Sequence, residues 1–217
     1  MRPEIKFCGM TREQDVDAAV ALGARYVGVI FAGGPRAVTL ERARQLLRRV
    51  PSGVGRVGVF GPISEGWPGH AADELGLNVM QLHGDPDEAA VDLARETFGG
   101  TVWAALRVSG DALPVWATDL FRAADAVVLD AYSPTALGGT GRALPWADLA
   151  VAVAPVRQSA RLVLAGGLRT DTVSRAVRAL HPDVVDVSSG VESAPGIKDH
   201  AKLRAFRDAV WGEGATS

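Results

Sequence analysis

Eight short runs of apolar, largely β-branched residues recur along this chain at intervals of about one strand-plus-helix unit, and that regularity limits the folds open to it. The runs cover residues 4–8, 26–31, 55–60, 78–83, 102–107, 126–130, 162–165 and 184–187. Apolar stretches this short read as strands buried on both faces, the habit of a parallel sheet covered by helices. The segments between them mostly read as helices. Thr11-Arg12-Glu13-Gln14 has the form of a capping box, and Gly23 sits where that helix should stop. Asp85-Pro86-Asp87-Glu88 offers a cap residue, a proline at the first helical position and an acid two places on. Val173, Ala176, Val177 and Leu180 share one helical face, as do Leu203, Phe206 and Val210. Helices are also expected around residues 116–122 and 146–153. The third is poorly signalled, because residues 61–69 are rich in glycine and proline ahead of a short piece at 72–75.

Eight strands alternating with helices admit an open doubly wound sheet or a closed barrel. A doubly wound dinucleotide site wants G-x-G-x-x-G directly after a strand. None follows the first strand, and Gly138-Gly139-Thr140-Gly141 lies within a long loop. The expected fold is therefore α/β, a single (β/α)8 TIM barrel. A chain of 217 residues suits one such barrel and is short for two domains. Residues 1–211 are assigned to the barrel as its catalytic domain, and 212–217 to a disordered tail. A formal net charge of −2 argues against a nucleic-acid partner. One cysteine excludes an internal disulfide and a cysteine-based zinc site. The N-terminus, residues 1–10, has no apolar stretch of signal-peptide length and no segment approaches a membrane span, so a cytoplasmic protein without a membrane partner is expected, as a monomer or homodimer.

Chemistry in a barrel gathers where strands end and βα loops begin. Those positions hold Cys8, Arg36 in the second loop, Gln81, His83 and Asp130. The seventh and eighth runs then end abruptly in small residues, Gly166-Gly167 and Ser188-Ser189-Gly190. Turns of that kind expose backbone N–H groups that cradle an anion, so a phosphate bound between the last two strands is expected.

Taken in order, KFCGMTR (6–12), Pro35-Arg36, VGVF (57–60), QLHGD (81–85), Leu129-Asp130, GGTG (138–141) with Trp146, LAGGL (164–168) and VDVSSGVE-x-x-PG-x-KD (185–199) resemble the phosphoribosylanthranilate isomerase family. The similarity runs from the first strand to the last helix with compatible spacing. It implies a barrel enzyme of tryptophan biosynthesis that needs neither metal nor organic cofactor. The implied substrate is N-(5-phosphoribosyl)anthranilate, converted to 1-(2-carboxyphenylamino)-1-deoxyribulose 5-phosphate by an Amadori rearrangement. By the same resemblance Cys8 is the general base and Asp130 the general acid, acting from opposite walls of the barrel mouth. Arg36 would meet the anthranilate carboxylate through a forked hydrogen bond. Gln81, His83 and Gly139 are assigned to the substrate. The backbone of Gly166, Gly167, Ser189 and Gly190, with hydroxyls of Ser188 or Ser189, is assigned to the phosphate. Residues 61–69, the glycine-rich 32–35 and Pro145 before Trp146 depart from the family pattern.

Free thiols ionise near about 8.5 and free aspartic acid near about 3.9, so such a site must favour thiolate at Cys8 and the protonated form at Asp130, at least with substrate bound. Lys6 lies two residues before Cys8, and the strand pleat turns both to one face. Asp186 stands in the same relation to Ser188 on the eighth strand, which neighbours the first once the barrel closes. Lys6 and Asp186 are therefore expected to pair below the pocket, the lysine favouring thiolate and its partner offsetting part of that effect. An aminoaldose isomerase of histidine biosynthesis is a competing reading, but those barrels carry aspartate where this chain has Cys8. A non-catalytic phosphate-binding protein would have no need for both Cys8 and Asp130.

Overall fold

The computed structural model describes residues 2–62, 69–108, 110–131 and 146–212. Eight parallel strands close into a barrel in chain order: β1 (Glu4–Phe7), β2 (Tyr26–Ile30), β3 (Gly55–Phe60), β4 (Val79–Leu82), β5 (Thr101–Val108), β6 (Ala126–Ala131), β7 (Arg161–Ala165) and β8 (Val184–Val187). A helix follows each strand: α1 (Glu13–Ala21), α2 (Leu40–Leu47), α3 (Gly69–Glu74), α4 (Glu88–Thr97), α5 (Ala117–Ala123), α6 (Trp146–Val153), α7 (Val173–Leu180) and α8 (His200–Trp211). Between β8 and α8 the chain adds a 3₁₀ turn, Ser189–Val191, and a small antiparallel hairpin of β9 (Glu192–Ala194) and β10 (Ile197–Lys198). Closure joins β1 to β8 with Lys6 opposite Asp186 and Phe7 opposite Val187.

Strand parity divides the core in two. Ile5, Phe7, Val27, Met80, Leu106 and Leu164 point outward against the helices. Tyr26, Val57, Val59, Val79, Trp103, Val128 and Val163 fill the barrel itself. Tyr26 and Trp103 meet edge to face there, with ring centroids 4.9 Å apart. The interior is thus a packed plug, and a cavity opens above it, at the C-terminal ends of the strands. On the outside, Val173, Ala176 and Leu180 of α7 and Leu203 and Phe206 of α8 are buried as their spacing predicts. Val177 and Val210 are partly buried against the same core.

Two helix starts differ from the sequence reading. No capping box forms at residues 11–14: α1 begins at Glu13 with Arg12 at the cap position and no side-chain cap. The Thr11 hydroxyl donates instead to the Gly196 carbonyl of the hairpin loop, a tertiary contact that outcompetes the local one. Likewise Asp87, not Asp85, caps α4, accepting from the Ala90 N–H. Asp85 is drawn away by the backbone N–H and guanidinium of Arg107. Gly23 does end α1, at φ +81°. The hairpin β9–β10 was not foreseen, since strands of three and two residues leave no periodicity to read. Residues 63–68, Gly138–Gly141 and the tail beyond Gly212 lie outside the described residues. Among those described, no helix is long and apolar enough to cross a membrane.

Candidate active site

A cavity of about 430 Å³ opens at the C-terminal end of the barrel. Cys8, Arg36, Gln81, His83, Asp130, Gly166, Gly167, Asp186, Ser188, Ser189 and Gly190 all line it. These come from the ends of β1, β4, β6, β7 and β8 and the loop after β2, so residues distant in sequence converge because each strand delivers its last residue to one rim. Gly139 lies outside the described residues.

Below the rim, Lys6 is fully buried inside the barrel. Its ammonium donates to Asp186 Oδ2 at 2.6 Å and to Gln81 Oε1 at 2.9 Å. Burial would depress this ammonium, but Asp186 and the Cys8 sulfur more than offset that and hold it above its ordinary value. Gln81 spends its carbonyl on Lys6, so its amide NH₂ is the part left for a ligand. Asp186 keeps Oδ1 buried without a partner among the described residues.

Cys8 is nearly buried, its N–H bonded to the Val187 carbonyl at 2.9 Å. Gly28 of β2 makes room for it: a Cβ there would stand 2.9 Å from the Cys8 sulfur and 3.3 Å from Lys6 Cε. Burial pushes the thiol above its ordinary value; Lys6 and Lys198 oppose this and Asp186 adds to it. The cavity without substrate therefore favours thiol over thiolate. Lys6 favours thiolate and Asp186 offsets part of that effect, as the sequence suggests, but desolvation outweighs the lysine. Asp130 is raised as well, first by burial and then by Asp186, against the opposing charges of His83, Arg107 and Lys6. A shift in that direction favours the protonated form that a proton donor needs. His83 Nε2 stands 3.7 Å from Asp130 Oδ2, beyond hydrogen-bonding distance.

Arg36 differs from the sequence expectation in its partner. Its Nε and Nη2 fork onto Glu192, at 2.9 and 2.7 Å, so only the outer end of the guanidinium is left for a ligand. Glu192 is buried and is also bonded by Lys198 Nζ at 2.8 Å. The phosphate-type cradle has two turns in close contact. Gly166 and Gly167 adopt φ +78° and +62°, and a Cβ on Gly190 would fall 1.9 Å from the Leu168 carbonyl oxygen. No side chain fits at Gly190, so the close approach there is made by backbone. Gly28, Glu192 and Lys198 escaped the sequence reading as site residues. The signals were there: a glycine inside a strand, and two charged residues within the 185–199 block. Among the described residues no three His, Cys, Asp or Glu are grouped to hold a metal.

Comparison with known proteins is consistent along the whole chain. The family model for N-(5'-phosphoribosyl)anthranilate (PRA) isomerase matches residues 5–209. An N-(5'-phosphoribosyl)anthranilate isomerase of Pseudomonas fluorescens is 42% identical over 207 residues, 94% of this chain and 97% of the relative. The crystal structure of phosphoribosyl anthranilate isomerase from Thermotoga maritima superposes with a TM-score of 0.78 at 32% identity, covering 97% of this chain and 99% of that one. A further structure of the enzyme, in complex with reduced 1-(o-carboxyphenylamino)-1-deoxyribulose 5-phosphate, gives a TM-score of 0.75 at 30% identity, with 97% and 99% covered.

Proposed function

Because this chain belongs to the N-(5'-phosphoribosyl)anthranilate isomerase family, we propose that Cys8 and Asp130 are the two proton-transfer groups of its reaction. The enzyme converts N-(5'-phosphoribosyl)anthranilate to 1-(2-carboxyphenylamino)-1-deoxyribulose 5-phosphate, a step of tryptophan biosynthesis. The reaction is an Amadori rearrangement of an aminoaldose to an aminoketose. The whole barrel, residues 1–211, serves as one catalytic domain, working in the cytoplasm. It acts as a monomer or homodimer.

Asp130 donates its proton to the furanose ring oxygen as the C1–O bond breaks and the anilino nitrogen lone pair forms the C1=N bond. Cys8 as thiolate removes the proton from ribose carbon 2, and those electrons become the C1=C2 bond of an enolamine while the nitrogen recovers its lone pair. The enolamine tautomerises to the ketone by gaining a proton at carbon 1 and losing one from the carbon 2 hydroxyl. No net oxidation occurs, and the two protein groups exchange protons only with substrate and solvent. The phosphate, held by the backbone of Gly166, Gly167, Ser189 and Gly190 with a Ser188 or Ser189 hydroxyl, anchors the sugar away from the reacting carbons. The outer end of the Arg36 guanidinium meets the anthranilate carboxylate. His83, Gln81 through its NH₂, and Gly139 complete the contacts to the substrate.

The observation that supports this reading best is that Cys8 and Asp130, 122 positions apart in sequence, line one cavity together with both small-residue turns. Steady-state turnover of N-(5'-phosphoribosyl)anthranilate tests it. Cys8→Ala and Asp130→Asn should each lower kcat by about 10²-fold or more, the usual size of a general acid or base contribution. A loss under about tenfold for Cys8→Ala would move the base elsewhere.

A further inference from the structure

We propose that Glu192 and Lys198 act as a positioning pair that locks Arg36 to the Ser188 end of the phosphate cradle, and so sets the spacing between the two anionic ends of the substrate. The inference rests on the reading that Arg36 meets the carboxylate and the Ser188–Gly190 segment the phosphate. Both residues sit on the small hairpin, where a register shift between Ile197 and Lys198 places Lys198 of β10 opposite Glu192 of β9. Both are buried, with 8% and 2% of their surface exposed. Lys198 Nζ reaches three acceptors: Glu192 Oε1 at 2.8 Å, the Ser188 carbonyl at 3.1 Å and Ser188 Oγ at 3.4 Å. Glu192 in turn receives Arg36 Nε at 2.9 and 3.1 Å and Nη2 at 2.7 Å. One unbroken chain of charge-assisted bonds thus runs from the loop after β2, through the hairpin, to the turn after β8.

The steric arrangement agrees with the polar one. Arg36 and Ser188 converge over Gly9, where an added Cβ would lie 2.8 Å from Arg36 Cδ and 2.8 Å from Ser188 Oγ. A side chain at that position would wedge the two apart. The charges also have the right sum, since two cations and one anion leave a net positive group beside a ligand that is negative at both ends. Burial works against the Glu192 carboxylate, yet Arg36 and Lys198 hold it below its ordinary value and therefore ionised. A buried ion pair stabilises a fold little better than apolar side chains of equal volume. Its fixed geometry is what an apolar pair would not reproduce.

Kinetics of Glu192→Gln, Arg36→Ala and the double variant decide the matter, because an element that merely supports the fold would not separate KM from kcat. Glu192→Gln keeps the shape but loses the charge that orients the guanidinium. KM for N-(5'-phosphoribosyl)anthranilate should rise about tenfold, the size of one lost charge-assisted bond, with kcat within about threefold of wild type. Added to Arg36→Ala it should raise KM less than about twofold further, since its effect runs through Arg36. An unchanged KM in Glu192→Gln, or additive effects, overturns the inference while Arg36 keeps its role. An unchanged KM in Arg36→Ala removes the reading of Arg36 and the inference with it. Should Glu192→Gln fail to fold, Glu192→Gln/Lys198→Met removes both buried charges together and carries the same KM expectation. In that double variant the inhibition constant of inorganic phosphate should also rise about tenfold as Ser188 loses its tether; unchanged phosphate inhibition overturns the cradle half of the proposal.

Discussion

At Cys8 and Asp130 the same desolvation raises both groups, which works against the base and in favour of the acid. The working form, thiolate with carboxylic acid, carries as many protons as thiol with carboxylate. The rate should therefore hold between the two macroscopic pKa values, falling at low pH when both groups are protonated and at high pH when both are bare. Since burial raises both groups, the kcat/KM profile should show its acid limb above 3.8 and its alkaline limb above 9.0. Limbs at or below those values would remove the desolvation argument. Lys6→Met deletes a cation that opposes the raised thiol pKa, so the alkaline limb should move higher and turnover fall by about tenfold or more. An unmoved limb with unchanged turnover would leave Lys6 a purely structural partner of Asp186. The pairing of those two was legible in sequence, because a pleat of period two and a closed barrel fix which residues share the interior. The sign of the thiol's shift was not, because desolvation depends on how much neighbouring surface the whole barrel packs around the sulfur.

Elements show the same division. Helix positions followed from spacing: α6 occupies the expected residues, and α7 and α8 bury the expected faces. Helix caps did not, because a side chain that is free to cap is also free to bond a neighbour across the fold, as Thr11 and Asp85 do. The hairpin after β8 is the consequential omission, since it carries Glu192 and Lys198 behind the site. Its neighbouring 3₁₀ turn offers a direct test of the close approach at the cradle. Gly190→Ala forces a methyl group against the Leu168 carbonyl, so the two turns must separate. A stability loss of about 1–3 kcal/mol is expected from such overpacking. KM should rise about tenfold or more as the cradle opens, scaled from one lost charge-assisted bond. Denaturant unfolding and steady-state kinetics on one preparation measure both, and a variant normal in both would show that the turns are not held in contact.

For the whole molecule, closure is what assembles the site. β1 and β8 meet through four register pairs, and α8 packs behind them with Phe206 edge to face against Phe7, centroids 6.3 Å apart. Trp211 Nε1 donates to the Pro3 carbonyl at 2.8 Å and ties the helix back to the start of the chain. Phe206→Ala should cost about 3–5 kcal/mol, the range for truncating a buried aromatic, measured by denaturant unfolding. A cost under about 1 kcal/mol would mean that α8 only decorates a barrel already closed without it. By itself the sequence determined the eight-fold alternation, the strand parity and the chemistry-bearing residues at strand ends, because these depend on neighbours within one element. Tertiary structure alone decided how Arg36 is held, which residues cap the helices and how far the Cys8 and Asp130 equilibria move. Those outcomes are sums over groups brought together from distant positions, and no local period in the chain encodes their distances.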